Sequence, residues 1–146
     1  MRVLRRRADR NALAELFERH AEDVWNHAYR LTGSWEQAEE LTAQAFQAAG
    51  RRTAEAALLG DQALPWLLAL TARLPRPAPS HDGDPAVLHV LTALATLPRS
   101  DREAAELCLL GELAPPRAAQ ALGTTEDHVR SAVDRARARL GQAEEE

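Results

Sequence analysis

Apolar stripes of helical period alternate along the chain with short clusters of Gly, Pro and small polar residues, a pattern that predicts helices throughout. Leu13, Leu16, Phe17, Val24, Ala28 and Leu31 share one face of a helix expected over residues 11–30, and Gly33 with Ser34 punctuates it. Ser34 suits the N-cap of a second helix over residues 35–49, with Gln37 in the capping-box position. Ala38, Leu41, Ala45 and Phe46 are its inward positions, and Gly50 ends it. Residues 51–62 read either as a weak helix or as a loose connection. Residues 63–74, rich in Leu and Ala around Trp66, read as a buried helix with Pro65 in its first turn. The pattern then breaks: PRPAPSHDGDP, residues 75–85, has four prolines and no apolar period, which is linker composition. Past it, Val87, Leu88, Leu91, Leu94 and Leu97 form a second helical group stopped by Pro98. A helix capped by Ser100 then runs through Leu110 to Gly111.

The last stretch, residues 115–140, reads as two helices around a tight turn at Gly123, with Thr124 or Thr125 as N-cap and Thr124–Asp127 as a capping-box-like pair. Val129, Val133, Ala136 and Leu140 make one face of the second helix, while Arg130, Ser131, Asp134, Arg135, Arg137 and Arg139 occupy the other. A short helix, a glycine turn and a longer arginine-bearing helix have the form of a helix-turn-helix, and a plain helical hairpin with a solvated face has the same pattern. The expected fold is therefore all-α. It consists of two small helical domains, residues 1–74 and 86–146, joined by the proline-rich linker 75–85, and the second domain is a helix-turn-helix.

Composition narrows the core. Hydrophobic residues make up 45% of the 146 but aromatics only 4%, so the interior must be built from Ala and Leu; Trp25, Trp35 and Trp66 are expected within it. There is no Ile and no Lys; all 18 basic residues are Arg. The net charge is −4, and it falls in the second half, where 8 arginines face 12 acids, against 10 and 10 in residues 1–75. That balance weakens autonomous affinity for nucleic acid. The arginine-rich start, MRVLRRRADR, does not read as a signal peptide, since the segment after it is charged throughout; it reads as a solvated tail, with contact to nucleic acid as the alternative. The lone Cys108 excludes an internal disulfide and fits a reducing cytoplasm. No apolar run reaches membrane-spanning length, so membrane insertion is not expected.

No phosphate loop, paired-cysteine zinc spacing or nucleophile motif is present, so neither an enzyme, a metal site nor a cofactor is expected. His20 and His27 lie seven residues apart on one helical face without a third ligand, which fits structural roles. His81 with Asp82 and Asp84 is a weak cation cluster at most.

Residues 94–140, with Leu97–Pro98, Arg102–Glu103, the Ala-Leu-Gly turn and the Val-Arg-Ser…Arg-Ala-Arg ending, resemble the C-terminal domain of a bacterial extracytoplasmic-function (ECF) sigma factor. Residues 16–52 resemble the N-terminal domain of that family in the spacing of Leu-Phe-x-Arg-His, Arg30-Leu31-Thr32-Gly33, Ala38-Glu39-Glu40-Leu41 and Phe46. The resemblance implies promoter recognition through the helix-turn-helix, with Thr125, Glu126, His128, Arg130, Ser131 and Arg135 at DNA. It implies that Glu39, Glu40, Gln44 and Phe46 bind RNA polymerase, and that Trp66 and Arg73 meet the promoter −10 element. The implied partners are RNA polymerase core, promoter DNA and an anti-sigma factor; the implied location is the cytoplasm. The chain departs from the family pattern at Ala43, at Gly50 (commonly Trp), at Asp127 (commonly Gly), at Ala132 (commonly Arg) and in the early end of the helix after Trp66. These departures imply weak promoter opening. The alternative is a divergent sigma-like interaction protein that binds polymerase or a regulator without opening promoters; a general helix-turn-helix repressor or activator is a third reading.

Overall fold

The structure, a computed structural model, describes residues 2–78 and 84–145. They form an all-α fold: α1 (Arg2–Thr32), α2 (Trp35–Gly50), the single turn α3 (Thr53–Ala57), α4 (Ala63–Arg73), α5 (Pro85–Leu94), α6 (Arg99–Leu109), α7 (Pro115–Leu122) and α8 (Glu126–Glu145). A 3₁₀ turn, Gly60–Gln62, leads into α4. No strand occurs among the described residues. His81 and Asp82, of the weak cation cluster, lie outside the described residues, as do Pro79, Ser80 and Gly83. Asp84 is spent as the N-cap of α5, accepting from the Ala86 N–H at 2.9 Å.

Helix α1 corrects the reading of the arginine-rich start. Residues 2–10 are its opening turns, not a tail. The stretch has no apolar stripe, but it also has no Gly or Pro, and Arg, Leu and Ala are good helix formers, so the helix propagates back from its packed part. Helix α2 starts as expected: Ser34, in extended conformation, accepts from the Gln37 N–H. The loose stretch 51–62 resolves into α3 and the 3₁₀ turn. Helix α6 starts at Arg99, with Pro98 at the cap position in place of Ser100.

The interior is dominated by small side chains. Ala28, Ala38, Ala45, Ala104, Ala118 and Ala132 are fully sealed, which lets helix backbones approach closely. Buried threonines lose no hydrogen bond in this setting: Thr32, Thr42 and Thr71 donate to the carbonyls four residues back, at 2.9, 2.7 and 2.7 Å. Leu13 of α1 fills the space beside Gly50, where the family pattern has Trp; a Cβ built there would stand 3.2 Å from Leu13 Cδ2. Two expected core aromatics lie at the surface. Trp35 is 69% exposed because it is the first residue of α2, at the end of the α1–α2 hairpin, where it rests edge-on against Trp25. Phe17 is 50% exposed and covers Phe46 from the rim, ring centroids 5.0 Å apart.

One core cluster crosses the expected domain boundary. Val24, Phe46, Trp66 and Leu67 of the first half belong to the same buried cluster as Leu107, Ala119, Val129 and Val133 of the second. Helix α4 is the seam, since it packs on α1 and α2 on one side and on α6 and α7 on the other.

A shared core couples the unfolding of the two halves. Leu67→Ala, at a fully buried position on the seam, is expected to lower the unfolding free energy by about 3 kcal/mol and to shift one cooperative urea transition. Two separated transitions in the wild-type chain would show that the seam does not couple them.

Candidate nucleic-acid interface

The turn of the helix-turn-helix is built by local chemistry. Helix α7 opens on Pro115 and Pro116, whose missing N–H groups cost nothing in a first turn. It ends at Gly123, which sits at φ 72, a left-handed conformation that a side chain would strain. Gly123 N–H bonds to Gln120 O at 3.3 Å and Thr124 N–H to Ala119 O at 3.0 Å, a Schellman closure. Thr125, not Thr124, then caps α8: its hydroxyl accepts from the His128 N–H at 3.1 Å. The Thr124–Asp127 pair expected from the sequence gives way to Thr125–His128, because α8 begins at Glu126 and so puts Thr125 at the cap position. Glu126 and Asp127 in the first turn of α8 suit the positive end of its dipole.

Helix α8 divides as its periodicity predicts. Val129, Ala132, Val133 and Ala136 are buried; Thr125, Asp127, Arg130, Ser131, Asp134 and Arg137 are exposed on the other side. Arg130 and Ser131 therefore share an open face, with Thr125 exposed just before the helix start and Glu126 and His128 half-buried at the face's edge. Arg130 is held by Glu126 one turn back, at 3.0 and 2.7 Å, in an exposed pair that a phosphate could compete for. Arg135 is placed differently. Its guanidinium forks onto the buried carboxylate of Asp101, both bonds 2.9 Å, and so ties α8 to α6. That hydrogen-bonded fork holds the Asp101 carboxyl below its ordinary range.

The remaining sequence-chosen residues are scattered. Glu39 and Glu40 are exposed on α2, and Gln44 donates to Glu40 at 3.4 Å. Phe46 is buried beneath Phe17, two turns on from Glu39. Trp66 is 7% exposed within the shared core. Arg73, at the end of α4, is exposed, but it donates to Leu122 O at 2.8 Å and lies 3.6 Å from Glu103.

A polar joint between the halves was not legible in the sequence. Arg30 of α1 donates to Leu110 O at 2.8 Å. Arg76 bonds the buried carboxylate of Glu106, whose other oxygen lies 3.8 Å from Arg102. Burial pushes the Glu106 carboxyl up and the Arg76 guanidinium down from their ordinary ranges, while each pulls the other back. Beside them His27 is 2% exposed, with no partner for either ring nitrogen. Gly111 makes this approach feasible: a Cβ there would stand 2.7 Å from Leu107 O and 3.2 Å from His27 Cε1. No cluster of three or more metal-ligating side chains occurs, and no helix is long and apolar enough to cross a membrane, among the described residues.

The fold is shared with known structures. The sigma factor RpoE from Bartonella quintana, solved in complex with the anti-sigma factor NepR, superposes with a TM-score of 0.64 at 18% identity, covering 90% of this chain and 96% of that one. CnrH, solved in complex with the cytosolic domain of CnrY, also gives a TM-score of 0.64, at 21% identity and 94% coverage of both chains. No family model matches the sequence, and no curated protein matches it.

His27 gives the fold an acid sensitivity. Burial first, then the nearby Arg76 and Arg30 cations, hold its pKa down at about 3, from an ordinary 6.5. Below pH 6.5 the unfolded chain takes up a proton that the folded chain refuses. The stability conferred by a neutral His27 is therefore complete above pH 6.5 and is lost as pH falls toward 3. His27→Leu is expected to raise stability at pH 7 by about 1 kcal/mol, by removing unpaired buried nitrogens. It should also remove a pH slope of up to about 1.4 kcal/mol per unit below pH 6.5. Urea titrations of both proteins between pH 7.5 and 4.5 check this; equal slopes would sink it.

Proposed function

We propose that the chain is an ECF-type sigma factor, which joins RNA polymerase core and brings it to promoter DNA through α7 and α8. The observation that carries this reading is an open, polar face on α8, beyond a Gly123 turn, within a fold shared over 90% of this chain with a sigma factor. Residues 86–146 act as the upstream-element reader and residues 1–74 as the polymerase-binding and −10 half. Thr125, Arg130 and Ser131 face DNA directly, with His128 and Glu126 at the edge. Arg135 acts from behind, since its fork onto Asp101 fixes the angle of α8 on α6. On α2, Glu39, Glu40 and Gln44 meet polymerase, while Phe46 braces the helix from within. The activity is recruitment and not catalysis, its place is the cytoplasm, and an anti-sigma protein is its natural regulator, as NepR is bound to RpoE.

A second reading, an interaction protein that binds polymerase without opening promoters, is favoured by the −10 half. Trp66 is sealed in the core and Arg73 is engaged on Leu122 O, which leaves little of a surface for unstacked bases. Arg130→Ala is expected to weaken promoter binding by the polymerase complex by about 1–3 kcal/mol if Arg130 reads a base edge, and to lower the salt slope by roughly 1 if it meets phosphate. Unchanged affinity and slope would remove α8 from DNA recognition. Permanganate reactivity of −10 thymines, beside that with a competent sigma factor, separates the two readings. Strong reactivity supports the sigma factor; polymerase binding with no reactivity supports the interaction protein.

A further inference from the structure

Charge on the open side of α8 is ordered by position. The buried stripe of Val129, Ala132, Val133 and Ala136 fixes which side of the helix points away from the body. The helical period then places Asp127, Ser131 and Asp134 along the midline of the opposite side, all three exposed. The arginines fall to either side of that line, Arg130 and Arg137 on one flank, Arg135 and Arg139 on the other. Two of them are also held off the midline. Arg130 is drawn back to Glu126 at 3.0 and 2.7 Å, and Arg135 forks onto Asp101. From Asp127 to Ala138 the midline thus carries two carboxylates and a hydroxyl, and no cation.

A helix lying in a major groove meets two different surfaces. Its flanks face the phosphates of the walls, and its midline faces the base edges on the floor. Arginine on both flanks suits the walls. A carboxylate on the midline is disfavoured by the phosphates and by every acceptor on the floor: guanine O6 and N7, thymine O4 and adenine N7. It is favoured only opposite an amino group. Cytosine N4 is such a donor, with no acceptor beside it on its own base, whereas adenine N6 stands next to N7.

We infer that Asp127 and Asp134 determine the specificity of α8, each accepting a hydrogen bond from cytosine N4, and that the target duplex carries two cytosines about three base pairs apart. The spacing follows from the seven residues between them in register, which rise about 10 Å along the helix against about 3.4 Å per base pair. The inference rests on the sigma-factor reading only in taking α8 as the helix that enters DNA. The two carboxylates act by exclusion as much as by attraction. They lower affinity for every duplex that lacks the cytosines, so removing one tightens non-specific binding while it loosens selection. A residue that merely supported the helix would not move those two quantities in opposite directions.

For the test, polymerase core carrying the full chain is offered a duplex library randomised across one helical turn, and single duplexes from the selected set are titrated. Wild type should enrich cytosine at both positions, and a thymine in place of either should weaken binding about tenfold, since an acceptor then replaces the donor. Asp127→Ala should lose the preference at one position and Asp134→Ala at the other, with helical content unchanged. Each variant should bind a random-sequence duplex roughly threefold more tightly at low salt, because one like charge has left the groove. An enriched sequence without cytosine, or cytosines that both variants still select, would overturn the assignment and leave the sigma-factor reading standing. Polymerase binding with no sequence enriched would overturn base reading by α8 altogether. Where the chain does not join polymerase, the same library is offered to the chain alone: cytosine enrichment would keep the assignment and remove the sigma-factor reading, and no enrichment would remove both.

Discussion

A carboxylate sealed inside a helical protein sets the terms for everything around it. Glu106 has a side chain 1% exposed, and such a group stays ionised only where cations come to it. Arg76 reaches it from the end of α4 and Arg102 from its own helix. Helix α4 must therefore end beside α6, and the rest of the seam follows from that registry. Leu67 and Trp66 meet the face of α6 and α7, Arg73 arrives at the end of α7, and His27 is pressed against Gly111. A buried pair of this kind contributes little net stability relative to apolar packing. It contributes geometry, because few other arrangements of the same helices leave the carboxylate paired.

The alanine-rich interior makes this registry demanding. Small side chains bury little area each, so the helices hold only where their backbones come close, and close backbones tolerate few errors of position. Glycine serves the same end at Gly111, and Leu13 compensates for missing volume beside Gly50.

Features that depend on neighbours in the chain were legible from the sequence. The Ser34 cap, the left-handed turn at Gly123 and the buried stripe of α8 are local, and their patterns carried through. Features that depend on distant partners were not. Asp101 and Arg135 stand 34 residues apart, and Arg135 looked like any other arginine on a polar face. Glu106 sits in SDREAAEL, where acids read as solvated, and nothing local says that Arg76 approaches from the other half. Trp35 misled for the opposite reason: large aromatics usually go inside, but its place at the first turn of α2 gave it nowhere to be buried. The candidate DNA face was half legible in the same way. Arg130 and Ser131 stand where the period puts them, while Arg135 and Trp66 belong to the frame.

The fork between Arg135 and Asp101 separates two kinds of position on α8. Residues that hold the helix in place are locked to α6 or to the core, and a change at any of them disturbs the whole fold. Thr125, Asp127, Ser131 and Asp134 face solvent and support nothing beneath them apart from the cap bond of Thr125. Their chemistry is free to drift while the helix keeps its pose. Exchanges at these positions would change the chemistry of the open face without moving the scaffold beneath it.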